Sequence, residues 1–313
     1  MTRSTASGPI AGARQEDDAM PTAPLVSVVM PSFGQRRFIA EAIDSVLGQG
    51  YGDVELIVAD GGSTDGTVDH LAERAAADER LRWFSEPDTG PAQALNRALA
   101  RTRGTIVGWL NSDDLYAPGA VGRAVAAFAE TPHWIMVYGR GRHVDATGGD
   151  IGPYPTRPPA GPLERFADGC FICQPTVFFK KVMHRLNGDL DESLRAAFDF
   201  DYWLRAFAKF PGRIGFVDAV QAMSRLHDDC ITVKMRRRVA IEGATVVARH
   251  LGRAPVHWLT TYVDELLAQP AEERGIADLR AHLVATLDEV RDRFDPADHA
   301  MLSRAILTDR RLG

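Results

Sequence analysis

Between Leu25 and Leu110 the chain alternates between two patterns: short β-branched apolar runs and amphipathic stretches with a helical period. The apolar runs are Leu25–Met30, Val54–Ala59, Leu81–Phe84 and Thr105–Leu110, and helical patterns separate them at Phe38–Leu47, Val68–Ala77 and Pro91–Ala100. Strands that are apolar along most of their length are buried on both faces, which a helix-covered parallel sheet provides. The alternation therefore predicts an α/β fold with a doubly wound, mostly parallel sheet flanked by helices. In such sheets ligands bind beyond the carboxyl ends of the strands. Asp60, Asp65, Asp88, Asp113 and Asp114 all follow predicted strands, so acids far apart in sequence are expected along one rim.

Further along, Val121–Ala129 reads as a helix and Ile135–Tyr138 as a strand, and the Gly- and Pro-rich stretch Gly148–Pro162 reads as loop. Order returns at Gln174–Phe179. Asp199–Phe210 is a predicted helix that turns Trp203, Leu204, Phe207 and Ala208 inward. From about Lys234 the pattern is helical to the end, so residues 234–313 form a helical C-terminal extension. Residues 1–24, rich in Ala, Gly, Ser, Thr and Pro and without the apolar centre of a signal peptide, read as a flexible tail.

The formal charge of −6 over 313 residues leaves no basic footprint for nucleic acid. Three cysteines, an odd and sparse set, argue against a disulfide framework and for a reducing, cytoplasmic compartment. Cys170 and Cys173 are spaced C-x-x-C, but with no second pair they read as buried small hydrophobes. No apolar run approaches the roughly 18 residues needed to span a bilayer. The amphipathic C-terminal helices leave room for a peripheral contact with the inner face of the cell membrane, or for a homodimer.

Two adjacent carboxylates at a strand end, Asp113 and Asp114, repel each other unless a cation or hydrogen bonds hold them, which suggests a hard metal such as Mg²⁺ or Mn²⁺. These ions take one or two protein carboxylates and complete their shell with water and phosphates. Taken singly, each acid also fits a plain structural role. Asp60, Asp65 and Asp88 suit turns and caps, and Asp199 suits the N-cap of the helix that follows it.

Together, the residues resemble the inverting, non-processive family 2 glycosyltransferases of the GT-A fold, a Rossmann-like doubly wound architecture. Val28–Phe33 and Ile43–Gln49 are similar to that family's opening strand, loop and helix, and Asp60-Gly-Gly-Ser-Thr-Asp-Gly-Thr67 to its aspartate-glycine-serine signature. Glu86–Gly90 with Ala94, Asn96 and Ala98 resembles the next nucleotide-pocket segment, and Asn111-Ser-Asp-Asp114 the D-x-D-type motif, with Asn111 in place of an acid. Asn187–Leu194 and Asp199-Phe-Asp-Tyr-Trp-Leu-Arg205 resemble the acceptor-side segment that ends in the catalytic aspartate, with Phe198 where a glutamate is common. Arg225-Leu-His-Asp-Asp229 resembles a late segment whose histidine reaches metal or diphosphate.

The resemblance implies a glycosyltransferase domain over residues 25–233, with a nucleotide-binding half at about 25–117 and an acceptor half at about 118–233. It implies donor contacts from Pro31, Ser32, Asp60, Asp88 and Asp113, metal ligation by Asp114 and His227, and Asp199 as catalytic base with Asp201 as fallback. The division between Asp113 and Asp114 can be reversed. Gln174-Pro175 would border the acceptor pocket. The implied reaction is inverting transfer of a sugar from a nucleotide-diphosphate donor, a UDP-sugar by expectation, to a hydroxyl on a glycan or lipid-linked acceptor, in polysaccharide, glycolipid or cell-surface glycan assembly. Two other classes use similar residues: a metal-dependent nucleotidyltransferase and a non-catalytic nucleotide-sugar-binding module. The first wants a Gly-rich basic loop where this chain has Pro31-Ser32-Phe33-Gly34, and the second is separated by turnover of the donor.

Overall fold

The computed structural model of the chain describes residues 23–270, 272, 274–309 and 311. All but the last two residues of the tail read over 1–24 lie outside them. The first half realises the expected alternation: β1 (Val26–Ser32), α1 (Ile39–Leu47), β2 (Val54–Asp60), α2 (Thr67–Ala77), β3 (Leu81–Ser85), α3 (Pro91–Ala100) and β4 (Ile106–Trp109). Next come β5 (Leu115–Tyr116), α4 (Ala120–Glu130), β6 (Met136–Val144), β7 (Asp150–Pro153), β8 (Phe178–Lys180), α5 (Lys181–Asn187), α6 (Phe198–Lys209) and β9 (Ile214–Arg225). Helices α7 (Ile231–Lys234), α8 (Arg236–Leu251), α9 (His257–Ala268), α10 (Leu279–Glu289) and α11 (Pro296–Thr308) complete the described chain.

One sheet runs in the order β3-β2-β1-β4-β8-β6-β9-β5, with β7 paired to β6. β1 to β4 pair in parallel, as do β6 and β9, whereas β5, β7 and β8 run antiparallel to their neighbours. Every residue of β1 and β2 is buried, and alternate residues feed opposite faces. Val28, Met30, Leu56 and Val58 pack under α1, α2 and α4, while Val29, Ile57 and Val107 face α3, α6 and the C-terminal helices.

The structure corrects one expectation and adds one element. The Gly148–Pro162 stretch is not all loop, because β7 pairs with β6 inside it. The twelve-residue β9 was not anticipated: its alternation of apolar with polar residues spans a half-buried strand. The boundary read at 233/234 falls inside α7, and one core runs across it. Ile241, Ala244 and Val247 of α8 and Leu259 of α9 share one apolar cluster with Phe200 and Trp203 of α6 and Trp109 of β4. Trp258 stacks on Phe200 at 5.7 Å, and its indole N–H donates to the carbonyl of Ala167 at 2.9 Å. A chain ending at Met235 is therefore expected to lose its cooperative thermal transition and to bind an apolar dye, as read by calorimetry and dye fluorescence.

Candidate active site

A cleft of about 610 Å³ opens at the carboxyl ends of β1 and β4, a size suited to a small-molecule ligand. Pro31, Ser32, Asp88, Asp113 and Asp114 line it, together with Asn111, Arg195, Phe198, Arg225 and Met235. Ser32 ends β1, and its hydroxyl has no hydrogen-bond partner among the described residues, leaving it free for a ligand. Gly61 supplies the close approach here: a Cβ at that position would stand 2.8 Å from Asp88 Oδ2 and 3.3 Å from the Phe33 ring. Burial pushes the Asp88 carboxyl above its ordinary range, and the Gly90 N–H donates to its Oδ1 at 2.8 Å.

Asp60 behaves differently from the expectation of direct donor contact. It is 1% exposed, and its carboxylate accepts from the backbone N–H groups of Gly62 and Ser63 and from the hydroxyls of Ser63 and Ser85. All its capacity goes into shaping the loop after β2. Asp65 likewise accepts from the N–H groups of Thr67 and Arg36, tying that loop to the one after β1. Asp88 is the acid that reaches the cleft.

Where β4 gives way to β5, the two adjacent acids are held apart in role. Asp114 is buried, with Oδ1 accepting from the Arg225 N–H at 2.9 Å and Oδ2 from Asn111 Nδ2 at 3.2 Å. Burial, and after it the charge of Asp113, push Asp114 well above the usual carboxylate range. Asp113 is the more open of the two, and its Oδ2 lies 3.0 Å from Nε2 of His227. Phe38 packs against the His227 ring at 4.6 Å. Among the described residues no three His, Cys, Asp or Glu side chains converge. The Asp113 carboxylate and the His227 imidazole form a mixed oxygen and nitrogen pair beside the cleft, fit for a divalent cation whose remaining positions go to phosphate and water.

Asn111, where the resemblance expects an acid, has a structural reason. Its Oδ1 accepts from the Trp109 indole at 3.0 Å while its Nδ2 donates to Asp114 and to Gln174 Oε1. An aspartate could not donate and would set a third carboxylate against Asp114. Arg225 is the residue that motif reasoning missed. Its side chain is 1% exposed and donates to the carbonyls of Asp113 and Ala146 and to Glu41 Oε2. The only sequence signal was its place beside His227, because burial of a guanidinium is a tertiary property.

Helix α6 places adjacent residues on different walls. Phe198 lines the cleft and stacks on Trp109 at 5.8 Å. Asp199, about 100° further round the helix, does not line it. It stands toward Cys170, whose thiol is pushed up by burial and next by the Asp199 charge. The N-cap of α6 is Ala197 with no side-chain cap, so Asp199 does not serve as the cap its position suggested. Burial raises its carboxyl to about 6, against one hydrogen bond from the Phe200 N–H at 2.7 Å. Asp201, the fallback base, is 1% exposed; burial alone would raise it, but His250 and Arg205 hold it below the usual range. Arg249 adds a contact at 3.1 Å, so Asp201 is a structural anchor. Trp203 is fully buried in the core, as expected.

The glycosyl transferase family 2 model matches residues 27–186, just over half the chain. The chain belongs to glycosyl transferase family 2. It is 30% identical over 195 residues to a chondroitin synthase from Escherichia coli, covering 61% of this chain and 27% of that protein. It is 26% identical over 255 residues to an uncharacterized glycosyltransferase from Rickettsia felis, covering 78% of this chain and 39% of that protein. The chain thus spans well under two thirds of the length of these relatives. Among solved structures it resembles S. aureus TarS 1-349 in complex with UDP-GlcNAc, with a TM-score of 0.59, 18% identity, and coverage of 90% of this chain and 91% of that one. It also resembles the mannosyltransferase PcManGT from Pyrobaculum calidifontis, in complex with GDP-Man and Mn²⁺, with a TM-score of 0.57, 20% identity, and coverage of 92% and 81%. The GT-A fold and the family expected from the sequence are thereby established. Among the described residues no helix is long and apolar enough to cross a membrane.

The raised Asp199 carboxyl has a consequence for stability. The folded state keeps a proton on Asp199 up to about pH 6, whereas the unfolded chain loses it in the ordinary carboxylate range. Its contribution is therefore present at low pH and lost as pH rises through about 6. Asp199→Asn should raise the melting temperature at about pH 8 and leave it nearly unchanged at about pH 4.

Proposed function

We propose that the chain transfers a sugar, with inversion, from a nucleoside-diphosphate donor bound in the 610 Å³ cleft to an acceptor hydroxyl delivered from the Asp199 side. The observation that carries this reading is the meeting of Ser32, Asp88 and Asp113 in one cleft, with His227 Nε2 3.0 Å from Asp113. Pro31, Ser32 and Asp88 bind the nucleoside, and Asp60 supports them by fixing the loop after β2. A UDP-sugar is the first donor to test, because the TarS structure that shares this fold is in complex with UDP-GlcNAc. The acceptor is a glycan or lipid-linked hydroxyl.

Asp113 and His227 would hold Mn²⁺ or Mg²⁺, while Asp114, whose oxygens each accept a hydrogen bond, one from the Arg225 N–H and one from Asn111, fixes the turn that presents them. This reverses the division between the two aspartates that the motif alone suggested. The cation would supply Lewis-acid neutralisation of the departing diphosphate. The protein's own groups account for the other half of the reaction. The acceptor oxygen attacks the anomeric carbon as its bond to the diphosphate oxygen breaks, and the hydroxyl proton passes to Asp199. With its carboxyl at about 6, Asp199 is ionised at neutral pH yet basic enough to take that proton. The wall bearing Cys170 and Tyr154, whose groups feel the Asp199 charge, is the acceptor side.

Nucleotide-sugars are to be screened by thermal stabilisation with Mn²⁺, and hydrolysis of the best donor then measured. Asp199→Asn should cut turnover by roughly 10²- to 10⁴-fold. The wild-type rate should fall on the acid side with a limb near pH 6, and donor affinity should survive the substitution. Absence of metal-dependent binding or turnover for every donor would sink the proposal.

The division between the two aspartates is tested separately. Asp113→Ala and His227→Ala should each raise the half-saturating Mn²⁺ concentration for nucleotide binding by about tenfold or more. Calorimetric titration with UDP reads this directly, and an unchanged metal requirement in both variants would return the ligand role to Asp114.

A further inference from the structure

Helix α8 lies beyond both the family match, which ends at residue 186, and the catalytic unit expected from the sequence. Yet it carries a buried carboxylate with an unusual set of partners. Glu242, 5% exposed, sits where an acid would ordinarily need a cation beside it. Its closest arginine, Arg238 one turn earlier, is 3.9 Å away. The carboxylate accepts instead from three successive backbone N–H groups across the core. Oε2 takes bonds from Arg195 at 2.9 Å, Ala196 at 2.8 Å and Ala197 at 3.0 Å, and Oε1 takes a second from Arg195 at 3.0 Å.

Those three amides form the turn that opens α6. This helix begins at an N-cap residue, Ala197, that offers no side-chain cap, and Asp199 in its first turn accepts from the N–H of its neighbour Phe200. A carboxylate from 45 residues downstream gathers the three amides that lead into the helix, the last of them that of the N-cap residue Ala197. The same turn presents Arg195 and Phe198 to the cleft and Asp199 to the acceptor wall. Asp201 reinforces the joint one turn further on, through Arg249 and His250 of α8.

We propose that Glu242 is a positioning residue for sugar transfer, clamping the Arg195–Ala197 turn so that α6 presents Phe198 to the donor cleft and Asp199 to the acceptor. The inference rests on the reading of Asp199 as base. It makes the C-terminal helices part of the catalytic unit. A carboxamide with its oxygen at the Oε2 position would turn its NH₂ group toward the Arg195 N–H, from which Oε1 accepts.

Two measurements test it. In the wild-type chain, hydrogen exchange should show the amides of residues 195–197 protected as strongly as those inside α6. Rapid exchange there would overturn the clamp whatever the enzyme does. In Glu242→Gln, turnover of UDP-N-acetylglucosamine with Mn²⁺ should drop by on the order of 10²-fold, since an ångström of misplacement is enough. The acid limb of the rate should also move down by about half a pH unit, because a negative charge near the first turn of α6 is removed. The charged and titratable groups facing this region are Arg238, Arg249 and His250 of α8 and Asp201 of α6; the Cys170 thiol and Tyr154 phenol on the far wall are un-ionised in this range.

A merely structural role would lower the melting temperature and leave the limb where it is. That outcome, or unchanged turnover in folded protein, would refute the proposal. Should Glu242→Gln fail to fold, Glu242→Asp keeps the charge on a shorter arm; it should retain the wild-type limb while losing turnover, and full activity there would count against the clamp. If wild-type protein turns over no donor, the reading of the site fails, while the exchange measurement still decides the clamp.

Discussion

The paired acids after β4 are held by one buried cation. Arg225 closes β9 with its guanidinium almost wholly out of solvent, a position that is costly unless every donor is used. It binds the carbonyls of Asp113 and Ala146, pairs with Glu41 of α1 and stands over the Phe38 ring at 4.9 Å, while its own N–H fixes Asp114. Two adjacent carboxylates beside a low-dielectric cleft would otherwise repel each other or take up protons. With Arg225 in place, one of them is committed to the scaffold and the other is left for a ligand. Removing a buried charge of this kind typically costs about 3–5 kcal/mol, because its partners are left unpaired. The site therefore depends on the length and register of β9, which runs parallel to β6 for its whole course and delivers residue 225 to the turn after β4.

What could be read from the residues was what is local. The strands from β1 to β4 are signalled by continuous apolar runs and their ends by Pro, Gly and acids, so the sheet and its acidic rim were both legible. β9 was not, because its polar residues find distant partners: Gln221 on α4, and Arg225 in the turn after β4. β7 was hidden for the opposite reason, lying in a Gly- and Pro-rich stretch that pairs only at an edge.

The roles of individual acids were harder still. Asp60 and Asp88 look alike in sequence, each an acid after a strand. They differ because Ser85 and the loop amides consume Asp60, whereas Gly61 makes room for Asp88. Asp113 and Asp114 are neighbours whose division is decided by a residue 111 positions away. Asp199 is the reverse case. Local propensity favours it as a cap, but α6 starts earlier, with Ala197 at the N-cap, and Asp199 lies inside its first turn.

Phe198 brings these strands of reasoning together. A glutamate at that position would put a second negative charge next to Asp199 and raise its carboxyl by repulsion, while drawing water into the cleft. The phenyl ring raises it by another route. Stacked on Trp109, which itself packs against Trp203, it helps keep this part of α6 dry, and exclusion from water is the dominant cause of the shift to about 6. In the proposed reading of Asp199 as base, the departure from the family pattern at residue 198 leaves no second carboxylate next to it, and burial supplies the upward shift instead.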